Sequence, residues 1–173
     1  MSYEMLRCER RAVPIATTVV SPGPDVLVVE NVDPYWALVD VLAESATRIG
    51  TVAWGAGGQV EQSIVSLWET GVADPGQVWY WGDADPEGVQ IASRAAAAVE
   101  QAGVGRLIPH PGLWRAYATL PGTDAGFVEW GAVPAGWLGE LWDALVDARA
   151  TSSRIAQERL TVDALRAAVG GSQ

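Results

Sequence analysis

The chain has 173 residues, a net charge of −10, and a single cysteine and a single histidine, Cys8 and His110. These counts exclude an internal disulfide and a zinc site built from cysteine and histidine, and they argue against a histidine-based catalytic triad. The acidic excess also argues against a free-standing, non-specific nucleic-acid binder, because phosphate contacts need lysine and arginine. It suits a carboxylate site for divalent cations, or a domain whose basic surface is supplied by another domain or chain.

Composition and hydropathy indicate one folded domain. Hydrophobic residues make up 49% and charged residues 18% of the chain. No apolar run reaches the roughly 18 residues of a membrane helix and the first residues are charged, so we expect a cytoplasmic protein without a membrane partner. Residues 1–24 are expected to form an N-terminal arm or the remnant of a longer region, with an edge strand at 12–20. Residues 25–169 are expected to form the domain and residues 170–173 a frayed tail.

Apolar, β-favouring stretches alternate with helical patterns along the domain. This alternation predicts an α/β fold with a parallel four-stranded sheet, helices on both faces and extra C-terminal helices. The predicted strands are 25–30, 51–54, 78–81 and 104–108. The predicted helices are 35–48, 59–70, 86–101, 113–120, 135–148 and 155–169.

The first three predicted strands each end in residues suited to a site. They are followed by Glu30-Asn31, by Gly55-Ala56-Gly57-Gly58 and by Asp83-Ala84-Asp85, respectively. Because parallel strands end at one edge of the sheet, we expect these segments to lie together, where ligands bind in open α/β sheets. Carboxylate oxygens are the ligands that Mg²⁺ prefers, so the pattern indicates a site for one or two such ions, which polarise a phosphodiester and activate water.

Structural roles for the two aspartates stay open at this point. Asp85 before Pro86 is typical of an N-cap followed by the first residue of a helix. Asp33 before Pro34 suggests the same arrangement for the first predicted helix. In this alternative Asp83 satisfies the turn and binds no metal.

The glycine-rich turn also has more than one interpretation. The backbone amides of Gly57 and Gly58 are candidates for phosphate binding at a helix start, but a tight turn requires the same glycines. A dinucleotide-binding enzyme is disfavoured, because Val60 stands at the third glycine position of the G-x-G-x-x-G pattern. No other cofactor-binding residues are predicted.

Four motifs together resemble a known domain. They are Val28-Val29-Glu30-Asn31, Gly55-Ala56-Gly57-Gly58, Tyr80-Trp81-Gly82-Asp83-Ala84-Asp85-Pro86-Glu87-Gly88 and Gln157-Glu158-Arg159-Leu160. In this order they resemble the Toprim domain. More narrowly, they are similar to the C-terminal Toprim-like domain of JetD, the nuclease subunit of Wadjet plasmid-defence systems and a relative of the topoisomerase VI A subunit.

The resemblance implies a DNA endonuclease that depends on Mg²⁺ or Mn²⁺. Glu30 matches the general acid/base glutamate of the family, and Asp83 and Asp85 match its metal-binding pair. Glu158 falls in the late Gln-Glu motif, where it either contacts the metal or braces the fold. Hydrolysis is expected rather than a covalent tyrosine mechanism, because Tyr35, the tyrosine nearest to Glu30 in sequence, lies at a helix start and is expected to pack.

The resemblance also bears on partners. Proteins of this family are longer, with an N-terminal DNA-binding arm and a winged-helix-like region, so we expect DNA to be bound through such a region or a partner. The implied partners are an SMC-type, condensin-like complex and a second copy of the chain. The alternative is a non-catalytic interaction module, which nine tryptophans and an apolar stripe from Trp137 to Val146 would support if part of that stripe were exposed.

Overall fold

The computed structural model describes residues 11–73, 76–122, 127–131 and 133–170. The first ten residues of the predicted arm (1–24) and the last three of the predicted tail (170–173) lie outside the described residues. The predicted boundaries of the domain, 25–169, therefore stay a prediction.

A five-stranded sheet forms the centre of the described part of the chain, in the order β1-β3-β2-β4-β5. Its strands are β1 (Ala16–Val19), β2 (Asp25–Val29), β3 (Ile49–Trp54), β4 (Val78–Trp81) and β5 (Leu107–Pro109). The last four run parallel to one another, as predicted. The α/β class is confirmed, but the prediction of four strands is wrong, because β1 adds a fifth, antiparallel strand.

β1 completes one edge of the sheet. It pairs with β3 from Ala16 opposite Trp54 to Val19 opposite Thr51. Without β1 the outer edge of β3 would present backbone groups that lack partners, and the β-branched residues of β1 favour the extended conformation that satisfies them. The edge strand itself was predicted, but its place in the main sheet was not.

Helices cover both faces of the sheet, as predicted. The α-helices are α1 (Val32–Ala43), α2 (Val60–Ser63), α3 (Ser66–Glu69), α4 (Pro86–Ala102), α5 (Pro111–Ala116), α6 (Val146–Ala150) and α7 (Val162–Gly170). Short 3₁₀ turns lie at Gly57–Gln59, Tyr117–Thr119, Ala135–Trp137, Gly139–Leu145 and Gln157–Arg159. One core lies between the sheet and α1, α5 and α7, and the other between the sheet and α2, α3 and α4. β2 is therefore buried on both faces, which explains its uninterrupted apolar sequence.

The start of α1 differs from the prediction. The helix begins at Val32, with Asn31 extended before it, so the predicted N-cap at Asp33 is wrong. Pro34 lies in the first turn, where no intrahelical partner exists for the N–H that proline lacks. The helix ends at Ala43, before the predicted end at Arg48. Tyr35 is packed, as expected, and its hydroxyl shares a hydrogen bond with Thr18.

Three other predicted helices are interrupted. Residues 59–70 are split between α2 and α3, and residues 135–148 form mainly 3₁₀ turns, with Gly139 at φ 54°. Residues 155–169 form a β-bridge and a 3₁₀ turn before α7. Apolar residues three apart suit a 3₁₀ turn as well as an α-helix, so the pattern did not distinguish them. None of the described helices is long and apolar enough to span a membrane.

Candidate active site

Glu30 follows β2 directly and lies in the interior of the molecule. Its side chain is only 7% exposed, and the Tyr80 hydroxyl donates a hydrogen bond to Glu30 Oε2 at 3.2 Å. A Cβ atom on Gly82 would collide with the same Oε2 atom, so the glycine after β4 makes room for this carboxyl. The prediction that the ends of β2 and β4 meet is therefore confirmed at the level of side chains.

The surroundings of Glu30 favour its neutral form. Burial, and then repulsion by Asp83, raise the pKa of Glu30 from 4.5 to about 7, while hydrogen bonds from Tyr80 and from the backbone of Asp83 act in the opposite direction. Burial dominates because a carboxylate loses its hydration there without gaining a positive partner of equal strength. Near neutral pH this carboxyl is thus able both to accept and to donate a proton.

Asp83 is fixed by two donors from distant parts of the chain. Its Oδ1 atom accepts hydrogen bonds from Asn31 Nδ2 at 3.0 Å and from the backbone N–H of Gln157 at 2.9 Å. Burial contributes most to raising the pKa of Asp83, and repulsion by Asp85 and Glu158 adds to it, whereas the two hydrogen bonds lower it. Negative charges therefore crowd together at this edge of the sheet.

Asp85 has the capping role that its sequence position suggested. Its backbone is extended and its Oδ1 atom accepts a hydrogen bond from Gly88 N at 2.8 Å, with Pro86 in the first turn of α4. The bond uses Oδ1, and Oδ2 is the second oxygen with which a carboxylate can bind a cation. The capping role and the predicted metal-binding role are therefore compatible.

Gln157, which was not among the predicted site residues, joins the ends of β2 and β4. Its buried carboxamide accepts a hydrogen bond from Asn31 N at 3.0 Å and donates one to the Trp81 carbonyl at 3.0 Å. A β-bridge between Ala84 and Ile155 holds the same segment against the start of α4. The Gln-Glu pair in the late motif was the signal that could have identified it.

Glu158 is brought to the acidic edge by its neighbour Gln157. Its side chain is exposed, and its charge contributes to raising the pKa of Asp83. The four predicted acids, Glu30, Asp83, Asp85 and Glu158, thus belong to one region. They differ in burial, from the buried Glu30 to the exposed Glu158.

The glycine-rich turn contacts the same region through its backbone. Ala56 and Gly57 have left-handed conformations, and the N–H of Gly57 donates a hydrogen bond to the Glu30 carbonyl at 3.3 Å. This amide of the predicted phosphate site already has a partner. Gly58 is exposed, and a Cβ atom there would meet no other atom within 4 Å. Val60, at the third position of the glycine pattern, is buried in the core.

Aromatic side chains support the backbone beneath the acids. The Tyr117 hydroxyl donates to the Gly82 carbonyl at 2.7 Å, and Trp114 Nε1 donates to the Tyr80 carbonyl at 3.0 Å. Trp81 stacks on Tyr117 at 6.0 Å between ring centroids. Trp81 Nε1 is buried and, among the described residues, no atom meets hydrogen-bond geometry with it, although the indole interacts weakly with the Tyr117 hydroxyl. These contacts fix the strand end that carries Asp83.

Comparison with protein families gives a match for part of the sequence. Residues 9–103, more than half of the chain, match the family described as Wadjet protein JetD, C-terminal. The chain belongs to this family. The matched region contains Glu30, the glycine-rich turn, Asp83 and Asp85, and it ends before Gln157 and Glu158. A comparison with curated proteins gives no significant match.

The acids at this edge of the sheet are the candidate metal ligands in this member of the JetD C-terminal family. Within residues 11–73, 76–122, 127–131 and 133–170, no group of three or more histidine, cysteine or acidic side chains is arranged to hold one. Mg²⁺ commonly binds through one or two carboxylates and keeps several waters, so it does not require such a group. Neighbouring carboxylates help to raise the pKa of Glu30 and of Asp83, and carboxylate oxygens are the ligands that a hard cation of this kind prefers.

Gln157 has a measurable structural role in this JetD family member. Replacing it with leucine keeps the side-chain size but leaves Asn31 N and the Trp81 carbonyl without their partner. We expect Gln157→Leu to lower the free energy of unfolding by about 2–4 kcal/mol, because each unpaired buried group costs about 1–3 kcal/mol. Urea denaturation measures the change, with Gln101→Leu on the exposed side of α4 as the control. Equal midpoints for both variants would contradict this role.

Gly88 allows a second prediction about stability. A Cβ atom on Gly88 would collide with the backbone carbonyl of Asp83, which cannot move aside as a flexible side chain can. We expect Gly88→Ala to destabilise the protein by about 1–3 kcal/mol, the usual cost of overpacking. Gly58→Ala, which places a methyl group in open space, is the matched control and should change the thermal midpoint little. A Gly88→Ala variant as stable as the control would show that the Asp83 loop tolerates displacement.

Proposed function

We propose that this chain is the Toprim-like catalytic domain of a DNA endonuclease that depends on Mg²⁺ or Mn²⁺ and acts in a Wadjet anti-plasmid system. The observation that carries the proposal is the meeting of Glu30, Asp83 and Asp85 at the carboxyl edge of the parallel sheet. Family membership supports the Wadjet context. The hydrogen bonds to Asp83 support it further, because they hold a repelling carboxylate in place beside two others.

Each acid has a separate proposed role. Asp83 and Asp85 hold the cation, which when bound polarises the phosphodiester and activates water. Glu30, buried beside them and hydrogen-bonded to Tyr80, is the general acid/base that transfers a proton during hydrolysis. Glu158 lies at the exposed rim and adds negative charge for the cation. Gly58 is the proposed contact to a DNA phosphate, since the amide of Gly57 is used within the fold.

DNA binding is proposed to depend on more than this domain. A net charge of −10 repels the phosphate backbone, so a cation and a basic region or partner must compensate for it. An SMC-type complex that delivers DNA, together with a second copy of the chain to cut the other strand, would meet this requirement.

The first test is cation binding followed by cleavage. Calorimetry with MgCl₂ and MnCl₂ should show binding to the chain. Supercoiled plasmid should be nicked in the presence of Mn²⁺ and stay intact when EDTA is added. If the chain binds a cation but does not nick plasmid, the isolated chain lacks a means of binding DNA. A chain that binds neither cation would overturn the proposed metal site.

A second candidate is a non-catalytic interaction module, which an exposed apolar surface would support. The apolar stripe that could have supported this alternative is mostly packed, with Leu138, Leu141 and Leu145 buried and Val146 exposed. A stable complex with a partner protein, combined with no cation binding, would favour the module.

A further inference from the structure

A cavity of about 750 Å³ lies away from the acidic edge, near the opposite end of β2. Its lining includes Asp25, the first residue of β2, and Ile49, the first residue of β3, whereas Glu30 follows the last residue of β2. Trp79 of β4 and residues of α5 and α7 form the remaining walls. The volume lies within the range of small-molecule sites, which are mostly apolar with a few converging polar groups.

His110 supplies a polar group to this cavity. The residue is 1% exposed and caps α5, with Nδ1 accepting a hydrogen bond from Leu113 N at 3.2 Å. An accepting Nδ1 requires the neutral ring with its proton on Nε2, and burial accordingly lowers the pKa of His110 to about 4. None of the hydrogen bonds found among the described residues uses Nε2, and Nε2 is not one of their buried atoms without a partner, so this donor is open to a guest in the cavity that His110 lines.

The charged residues of the cavity are positive in sum, in contrast to the rest of the chain. They are Asp25, Arg48 and Arg115, two positive charges against one negative. Asp25 is already satisfied, because it accepts hydrogen bonds from Arg48, from Gln77 N and from Trp79 Nε1. Arg115 projects from α5 on the exposed side and supplies the additional positive charge. A local positive charge in a chain of net charge −10 selects for an anionic guest.

The apolar walls indicate what else the guest must contain. Trp79 presents an indole beside the ring of His110, with 5.6 Å between the ring centroids. Three alanines of α7, Ala164, Ala167 and Ala168, give a surface of small side chains. A lone phosphate would leave these walls uncovered, whereas a flat ring would bury them.

We propose that this cavity binds a nucleoside monophosphate, with the phosphate at Arg115 and His110 Nε2 and the base between Trp79 and the alanines of α7. The same chemistry occurs in a free nucleotide and at the 5′-phosphorylated end of a nucleic-acid strand. The site is independent of the acidic edge, because it uses none of the residues proposed to hold the cation.

Calorimetry with AMP, in EDTA to exclude cation-mediated binding, tests the site. Wild type should bind AMP at least tenfold more tightly than it binds adenosine or inorganic phosphate. His110→Asn keeps the cap of α5, since asparagine is a good N-cap, but removes the Nε2 donor. Arg115→Gln removes the charge on the exposed side of α5. Each variant should weaken AMP binding at least tenfold, while Arg106→Gln, an exposed arginine outside the cavity lining, should bind AMP as wild type does.

The outcomes separate the proposal from its alternatives. No AMP binding to wild type at millimolar concentration would overturn it, as would unchanged binding in both His110→Asn and Arg115→Gln. If inorganic phosphate bound as tightly as AMP, the proposed contribution of the base to binding would be overturned. Displacement of AMP by a 5′-phosphorylated oligonucleotide, but not by its 5′-hydroxyl counterpart, would support the site and identify a strand end as its ligand. AMP binding without such displacement would support it with a free nucleotide as ligand.

Discussion

Asp83→Asn is expected to lower cation-dependent DNA cleavage at least 100-fold, equivalent to about 2.7 kcal/mol of activation free energy. The asparagine Oδ1 atom still accepts the hydrogen bonds from Asn31 and Gln157, so the geometry of the edge is kept. The substitution removes the negative charge and replaces Oδ2 by an amide nitrogen, so the main attraction for the cation is lost. Plasmid nicking with Mn²⁺ measures the activity, in the complex with the DNA-binding partner if the chain alone is inactive, and calorimetry measures cation binding.

Two further variants separate the loss of the charge from the loss of the hydrogen-bond acceptor and from a general effect of removing a surface charge. Asp83→Ala removes the acceptor as well as the charge, so it should lose activity and also destabilise the fold by about 1–3 kcal/mol, the cost of leaving buried donors unpaired. Asp40→Asn removes an exposed charge from α1 and should retain full activity. Full activity of Asp83→Asn would show that Asp83 braces the turn and does not bind a catalytic cation.

Glu30→Gln is expected to stabilise the metal-free protein at pH 8 by up to about 3 kcal/mol, because each unit of pKa shift corresponds to about 1.4 kcal/mol. Below pH 4.5 the carboxyl is protonated in both the folded and the unfolded state, and the wild type and the variant should be similarly stable. Between pH 4.5 and about 7 the unfolded state ionises while the folded state keeps its proton, so wild-type stability falls as pH rises. Above pH 7 the carboxyl is ionised in both states, so the full cost of burying its charge lowers wild-type stability. The variant therefore stays more stable than wild type.

Urea denaturation in EDTA at pH 4.5, 6 and 8 measures this difference. The raised pKa of Asp83 gives stability a pH dependence of the same sign, so the variant should retain a weaker dependence than wild type. Glu140→Gln, at an exposed position, is the control and should follow the wild-type curve. A Glu30→Gln variant that is less stable than wild type at pH 8 would mean that the carboxylate is stabilised in the folded state.

Local sequence patterns predicted much of the candidate site. The uninterrupted apolar run of β2 predicted a strand buried on both faces, and the parallel topology that follows from alternating strands and helices placed Glu30 and Asp83 at one edge. Asp85 before Pro86 predicted the start of α4 through N-cap chemistry. In each case the residues that determine the local structure are neighbours in the sequence.

The parts that the sequence did not predict depend on contacts between distant residues. Gln157 contacts Asn31 across 126 positions, and no local period indicates such a pair. β1 joined the main sheet because β3 had a free edge, which is a property of the assembled sheet. The stripe from Trp137 to Val146 was predicted to lie on one α-helix, but tertiary contacts and the left-handed Gly139 replaced most of that helix by 3₁₀ turns.

Gln157 follows Glu30, Asp83 and Asp85 in the sequence, and this order has a consequence for synthesis. All three central acids leave the ribosome before the residue that ties the ends of β2 and β4 together, and before Ile155, which bridges to Ala84. A nascent chain, or a product of premature termination, therefore contains Glu30, Asp83 and Asp85 without the contacts that align them. Under the proposed function, such a chain would lack the aligned acids that DNA cleavage requires.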